Sequence, residues 1–290
     1  MCPKKKIKKK ESKMKTVAIK THEAWLATLM AGFMSKTENK QVLFDFSDIL
    51  FRHFTWLENE MITLNESYSY DRDAIPIKVE KLSDMLNDIV KRLEEIDLQL
   101  LSSPDKELDS RISSDIHYMV DVLKKMKDER VTAFSMERKF PGIELTEEAT
   151  DALTLFLFEE TYKEYELIMI YNYLKAHSND AYMNRIFQIL IDESFFHLKS
   201  FGDMGAKMGI LAVPRVVMKE LYQVADVVQF LKDGINEELA AKEECKKLSE
   251  AVAKDSDELA KFFDFINHQE NYHISLMTDA LAHYAKAANG

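Results

Sequence analysis

Turn-forming residues are too scarce in this chain for a fold built on tight reversals: 290 residues contain only 7 glycines and 5 prolines. Hairpins and barrels need many positions of positive or fixed φ, and Gly and Pro supply those positions. A β-rich fold is therefore a poor expectation, and long helices become the default. The rest of the composition agrees. Charged residues, rich in Glu and Lys, make up 31% of the chain beside 15 Met and 17 Phe, a mixture suited to amphipathic helices packed on adaptable apolar interiors. A hydrophobic share of 46% over this length suffices for two cores of ordinary size.

The same few residues punctuate the chain. Pro76, Pro104, Pro141 with Gly142, and Pro214 separate stretches in which apolar residues recur at three and four residue steps. Leu82, Met85, Leu86, Ile89, Val90 and Leu93 form one such run. The pattern predicts helices over about 17–36, 38–68, 76–103, 105–138, 146–177, 179–208, 214–254 and 256–288. Phe140 to Ile143 holds the only Pro-Gly dipeptide, and Thr146 followed by Glu147 and Glu148 reads as a helix start. The expected organisation is a disordered basic tail over 1–16, a helical bundle over 17–140 and a second over 145–290. Short connections favour antiparallel neighbours, so each half is expected to close as an up-down bundle with its polar or metal site inward. The fold class expected is all-α, two consecutive antiparallel four-helix bundles.

A formal net charge of -11 argues against a general nucleic-acid partner, because phosphate contacts need clustered cations on the folded surface. The lysine run from Lys4 to Lys10 has no long apolar segment beside it and reads as a solvated tail. No window is long and apolar enough to span a bilayer, and no signal peptide is visible, so no membrane partner is expected. Cys2 lies in the tail and Cys245 in a helical stretch, an improbable disulfide pair, and a reducing cytoplasm fits best.

The second half carries a chemical constellation. Asp192, Glu193 and His197 lie in the stretch 179–208, and Glu270 and His273 in the stretch 256–288. A residue three or four places away lies one turn along the same helix face, so each carboxylate and imidazole can be presented to one point in a bundle core. The preceding stretches each hold an acidic doublet on an apolar approach, Glu159 with Glu160 and Glu237 with Glu238. These doublets precede Glu193 and Glu270 by nearly the same number of residues. Antiparallel partners bring positions equidistant from a turn to the same height, so four helices would deliver carboxylates and imidazoles together. Glu160 and Glu238 are the favoured members, with Glu159 and Glu237 as substitutes. Such a set suits two iron or manganese ions, whose charge makes burying the carboxylates tolerable.

On these residues the second half resembles the ferritin-like di-metal superfamily, which includes rubrerythrins and bacterioferritins; Glu270-x-x-His273 matches the family's helix motif. The resemblance implies a metal site of Glu160, Glu193, His197, Glu238, Glu270 and His273 holding two iron ions, or iron and manganese. The Glu193-to-His197 spacing is one residue longer than the family's, with Ser194 where the family places Glu. A π-bulge, a different role for Asp192 or Glu193, or a single metal would each accommodate this. Tyr162, Tyr165, Tyr171, Tyr173 and Tyr272 stand near the expected ligands as hydrogen-bond donors, redox-active phenols or packing residues. The implied function is an oxidoreductase acting on dioxygen or peroxide. With no pair of CxxC knuckles in the chain, it would need a separate electron donor. A non-catalytic iron-binding or oxygen-sensing protein and a metal-free helical scaffold are the alternatives, and a homo-oligomer is compatible with all three.

The first half resembles the hemerythrin family on His22, on His53 followed by Glu58, Glu60 and Met61, and on His117 with Asp121. Leu57 stands where that family has its bridging Glu, and the stretch 77–101 has no histidine. At most one weakly held metal is expected there. Asp48 also precedes His53 as Asp192 precedes His197, which suggests instead a duplication of one bundle.

Overall fold

The computed structural model describes residues 13–36, 38–78, 80–101, 106–131 and 137–289, and among them the protein is helical with no β-strand. The chain divides into two compact units, one drawn from Met1–Gly32 with Thr37–Glu129 and the other from Phe33–Lys36 with Arg130–Gly290. The first contains most of α1 (Lys13–Met34) with α2 (Asn39–Thr63), α3 (Leu82–Leu100) and α4 (Lys106–Lys125). The second contains α5 (Glu147–His177), α6 (Ala181–Lys207), the single turn α7 (Lys219–Tyr222), α8 (Val227–Val252) and α9 (Asp257–Asn289). Of the expected tail, residues 1–12 lie outside the described residues, while 13–16 belong to α1, where Met14 and Val17 are buried. No described helix is long and apolar enough to cross a membrane.

Helix ends follow local chemistry. The Thr146 hydroxyl accepts from the Ala149 amide and caps α5, and Asp180 accepts from the amides of Tyr182 and Met183 to cap α6. Asp226 caps α8 through the Gln229 amide. Gly209, at φ +77°, ends α6 as the Ile210 amide returns to the Gly205 carbonyl at 2.9 Å. Asn65, at φ +55°, ends α2 in the same way, with the Glu66 amide on the Met61 carbonyl at 2.8 Å.

The contacts fix the helix directions. In the first unit Trp25 meets Phe51 while His22 meets Phe54, so α1 and α2 are antiparallel. Lys20 pairs with Glu95 and Glu23 with Arg92, so α3 is also antiparallel to α1 and therefore parallel to α2. In the second unit Glu164 meets His197 while Lys175 meets Gln188, so α5 and α6 are antiparallel. Tyr171 lies against Phe230, and Glu160 faces Glu244, so α8 is antiparallel to α5 and parallel to α6. Both bundles thus run up, down, down, up.

This corrects the expectation of short connections throughout. A parallel pair needs a crossover that travels the bundle's length, and the segments 64–81 and 208–226 serve this purpose. For that reason α2 stops at Thr63, α3 begins only at Leu82, and the helix expected over 214–254 begins at Val227. Likewise α4 ends at Lys125, short of the expected 138, where the Glu129 carbonyl accepts from Leu82 at the start of α3. In the second unit one end of the bundle is a dry core of Leu153, Phe156, Phe201, Leu248, Phe263 and Ile266 with their neighbours. That core holds α5, α6, α8 and α9 in register below the polar layer described next.

Candidate metal centre

Half-way along the second bundle its four long helices turn carboxylates and imidazoles inward. His273 of α9 points Nδ1 at Glu270 Oε2, 2.9 Å away, and at Glu238 Oε2 of α8, 3.4 Å away. One ligand atom from each of these three residues lies within 4.8 Å of the others, and among the described residues no other His, Cys, Asp and Glu side chains form such a group. Opposite, His197 of α6 points Nδ1 at Glu164 Oε1 of α5, 2.9 Å away, and the two imidazole centroids are 5.7 Å apart. All five residues are more than nine-tenths buried. Glu160, Glu164, Ser194, Glu238, Glu270 and His273 line a cavity of about 50 Å³, room for several water-sized bodies.

The outer nitrogens obey one rule. His197 Nε2 meets Gln269 Oε1 at 3.2 Å, and His273 Nε2 meets Glu193 Oε2 at 2.9 Å. Gln269 stands four residues before His273, and Glu193 four before His197, so each histidine is steadied by the residue four places ahead of the other. Orienting an imidazole through its second nitrogen is the usual arrangement behind a metal ligand. Glu193 is thereby placed behind His273, on the side away from the cavity. The position matching Glu270, three before the histidine, is Ser194. The sequence left a π-bulge in α6 open as a remedy; α6 is regular α-helix throughout, and Ser194 simply faces inward, 2% exposed.

Of the six residues expected as ligands, Glu238, Glu270 and His273 come together, His197 faces them, Glu160 lines the cavity, and Glu193 holds an outer nitrogen. Glu160 Oε1 lies 3.6 Å from Lys163 Nζ. The residue the sequence reading missed is Glu164, one turn beyond Glu160 on the same face of α5. Its signal is the spacing Glu160-x-x-x-Glu164, which puts both carboxylates on one face of α5. Tyr171 lines the cavity, whereas Tyr272 is exposed.

The fit to a cation rests on Glu164. Its Oε1 is taken by His197, but its Oε2 is buried with no hydrogen-bond partner. A bare carboxylate oxygen in a protein interior is costly unless a positive group faces it. Carboxylate oxygens with imidazole nitrogens are a donor set for iron, manganese or zinc.

The electrostatics tell the same story. Burial, opposed by Lys163, pushes the Glu160 carboxyl up to about 7. Burial and the hydrogen bond it donates to Glu238 push Glu270 up to about 8, while Glu238 is lowered, burial notwithstanding, by the bonds it accepts from Glu270 and His273. Burial works to lower both imidazoles. For His197 it is outweighed by Glu164, for a value of about 9, and for His273 by Glu193, Glu238 and Glu270, for about 12. The surrounding carboxylates thus hold both imidazoles toward their charged form, and Glu270 toward its protonated one beside Glu238.

Comparison with protein-family models, with curated proteins and with solved structures returns no match. The geometry of the centre therefore stands on its own.

The first unit has no such layer among its described residues. His53 Nε2 meets Asp115 Oδ2 at 2.9 Å, while its Nδ1 is buried without a partner. His22 is buried among the rings of Trp25, Phe54 and Tyr70. Glu58, fully buried, accepts on one oxygen from Tyr68 and Tyr70 at 2.5 and 2.6 Å. His117, expected inward with Asp121, sits on the surface against Asp97, and Asp121 pairs with Lys125. Helix α4 turns Ile116 and Met119 to the core instead.

Proposed function

We propose that the second unit is a carboxylate-histidine centre of the ferritin-like kind, holding two iron ions or iron with manganese, and that the protein is an oxidoreductase acting on dioxygen or peroxide. The observation that carries this reading is the buried, unpartnered Oε2 of Glu164, a residue that lines the same small cavity as the Glu238, Glu270 and His273 group. The topology supports it as well, since an antiparallel bundle with one long crossover is the ferritin-like arrangement.

Glu164 with His197 would hold one ion, and Glu238, Glu270 and His273 the other. Iron at these positions would supply the electrons for reducing an oxygen species. The chain's own groups do the remainder. Gln269 and Glu193 fix the two imidazole planes, so that Nδ1 of each stays aimed inward. Leu167, Leu190 and Phe230 wall the cavity and limit water around it. The Tyr171 phenol, raised well above its ordinary value by burial and by the surrounding glutamates, keeps its proton and is a donor to whatever enters. No second cysteine accompanies Cys245 in this unit, so reducing equivalents would come from a separate donor. The buried Cys245 thiol is held protonated by burial and by the glutamates around it.

The test is metal analysis of protein purified without chelator, followed by peroxide and dioxygen consumption with an added reductant. About two iron or manganese ions per chain, lost in a Glu270→Ala, His273→Ala double variant, together with sustained turnover, is the expected result. Bound metal without turnover would leave a storage or sensing protein. Folded protein that takes up no metal would refute the reading.

A further inference from the structure

Resting on that metal-centre reading, we infer that the two cation positions are unequal: the α8–α9 position binds a divalent transition cation more tightly than the α5–α6 position. Two differences between the halves of the layer point the same way.

The first is the carboxylate supply. Three residues before His273 stands Glu270, 2.9 Å from its Nδ1; three residues before His197 stands Ser194, a neutral hydroxyl. The α8–α9 position therefore has two carboxylates and an imidazole converging within 4.8 Å, whereas His197 has one carboxylate, that of Glu164, at hydrogen-bond distance among the described residues. The second is the group behind each imidazole. His273 is backed by the anionic Glu193 at 2.9 Å and His197 by the neutral amide of Gln269 at 3.2 Å. A carboxylate in that place makes the imidazole a stronger donor, and such partners alter metal affinity by about 10- to 100-fold.

The experiment is a titration of the full chain, stripped with chelator and dialysed, with Mn²⁺, reading the free ion by electron paramagnetic resonance at pH 7.5. Two equivalents are expected, the first bound at least about tenfold more tightly than the second. Glu164→Gln, which keeps shape and removes charge, abolishes the second equivalent and leaves the first. Ser194→Glu brings the second to within about threefold of the first. Helical content by circular dichroism confirms that each variant is folded, and Glu164→Gln carries the test if Ser194→Glu does not fold. Two equivalents of equal affinity, or loss of the tight one in Glu164→Gln, would overturn the inference. No Mn²⁺ uptake at all would instead overturn the metal-centre reading beneath it.

Discussion

The two units follow the same path and differ in what they bury at mid-height. In each, four helices run up, down, down, up, with a long crossover after the second. In each, a histidine stands ten residues before the end of that second helix, His53 before Thr63 and His197 before Lys207. Both give Nε2 to a side chain of the fourth long helix, Asp115 and Gln269 respectively. From there they part. One and four residues past Asp115 stand the buried Ile116 and Met119; one and four residues past Gln269 stand Glu270 and His273. The first bundle closes with apolar side chains and with a Glu58 carboxyl that accepts from two phenols of its own crossover. The second closes with groups that need protons or a cation to coexist. The shared path shows that this fold does not require a polar layer at mid-height.

The contrast can be broken most directly by exchange. Ile116→Glu with Met119→His should cost the first unit more than about 3 kcal/mol, because two polar groups would enter a layer with nothing to receive them. Both tryptophans, Trp25 and Trp56, belong to the first unit, so denaturation followed by fluorescence reads it alone. A loss of less than about 1 kcal/mol would mean that the first unit hides a usable polar site.

Removing the acceptor of the two phenols comes next. Glu58→Ala leaves the Tyr68 and Tyr70 hydroxyls without their shared partner, and about 2–4 kcal/mol should be lost in the same assay.

Acid should act through the first unit's histidines. Burial, reinforced by Arg72, holds His22 well below its usual range, and burial outweighs Asp115 to lower His53. Both stay neutral when folded and take a proton near pH 6.5 when unfolded. Their contribution is thus complete above pH 6.5 and is lost as pH falls from there toward the lowered folded values. Each group removes up to about 1.4 kcal/mol per pH unit over that window. Denaturant midpoints at pH 7.5 and 5.5 check this, and an unchanged midpoint would contradict the burial of both rings.

The smallest effect is the mirror of the first exchange. Glu238→Leu and Glu270→Ile with His273→Met, measured with chelator present, should leave the second unit within about 1 kcal/mol of its original stability or make it firmer, because a buried ionic cluster replaced as a whole is often exchangeable for apolar groups. Metal uptake would nevertheless disappear. Thermal unfolding by circular dichroism gives the stability and elemental analysis the uptake.

Much of this was written in one dimension. Scarce glycine and proline, with apolar residues at three and four residue steps, dictated helices, because those features act within a turn or two of the chain. Thr146 could be recognised as a helix start for the same reason. His273 and Glu270 could be paired because three residues separate neighbours on one helix face. The crossovers could not be seen, since whether α8 runs with α6 or against it depends on which faces bury against α5 and α9. Nor could the places of Glu164, Glu193 and Ser194. A carboxylate becomes an inward ligand, an outer support or a bystander according to the rotation of its helix, and that rotation is set by apolar packing such as Phe156 on Phe201 and Phe263. The sequence by itself determined which helices form and which chemical groups they carry; only the tertiary structure decided which groups meet, because distance across a bundle is fixed by side-chain packing and not by spacing along the chain.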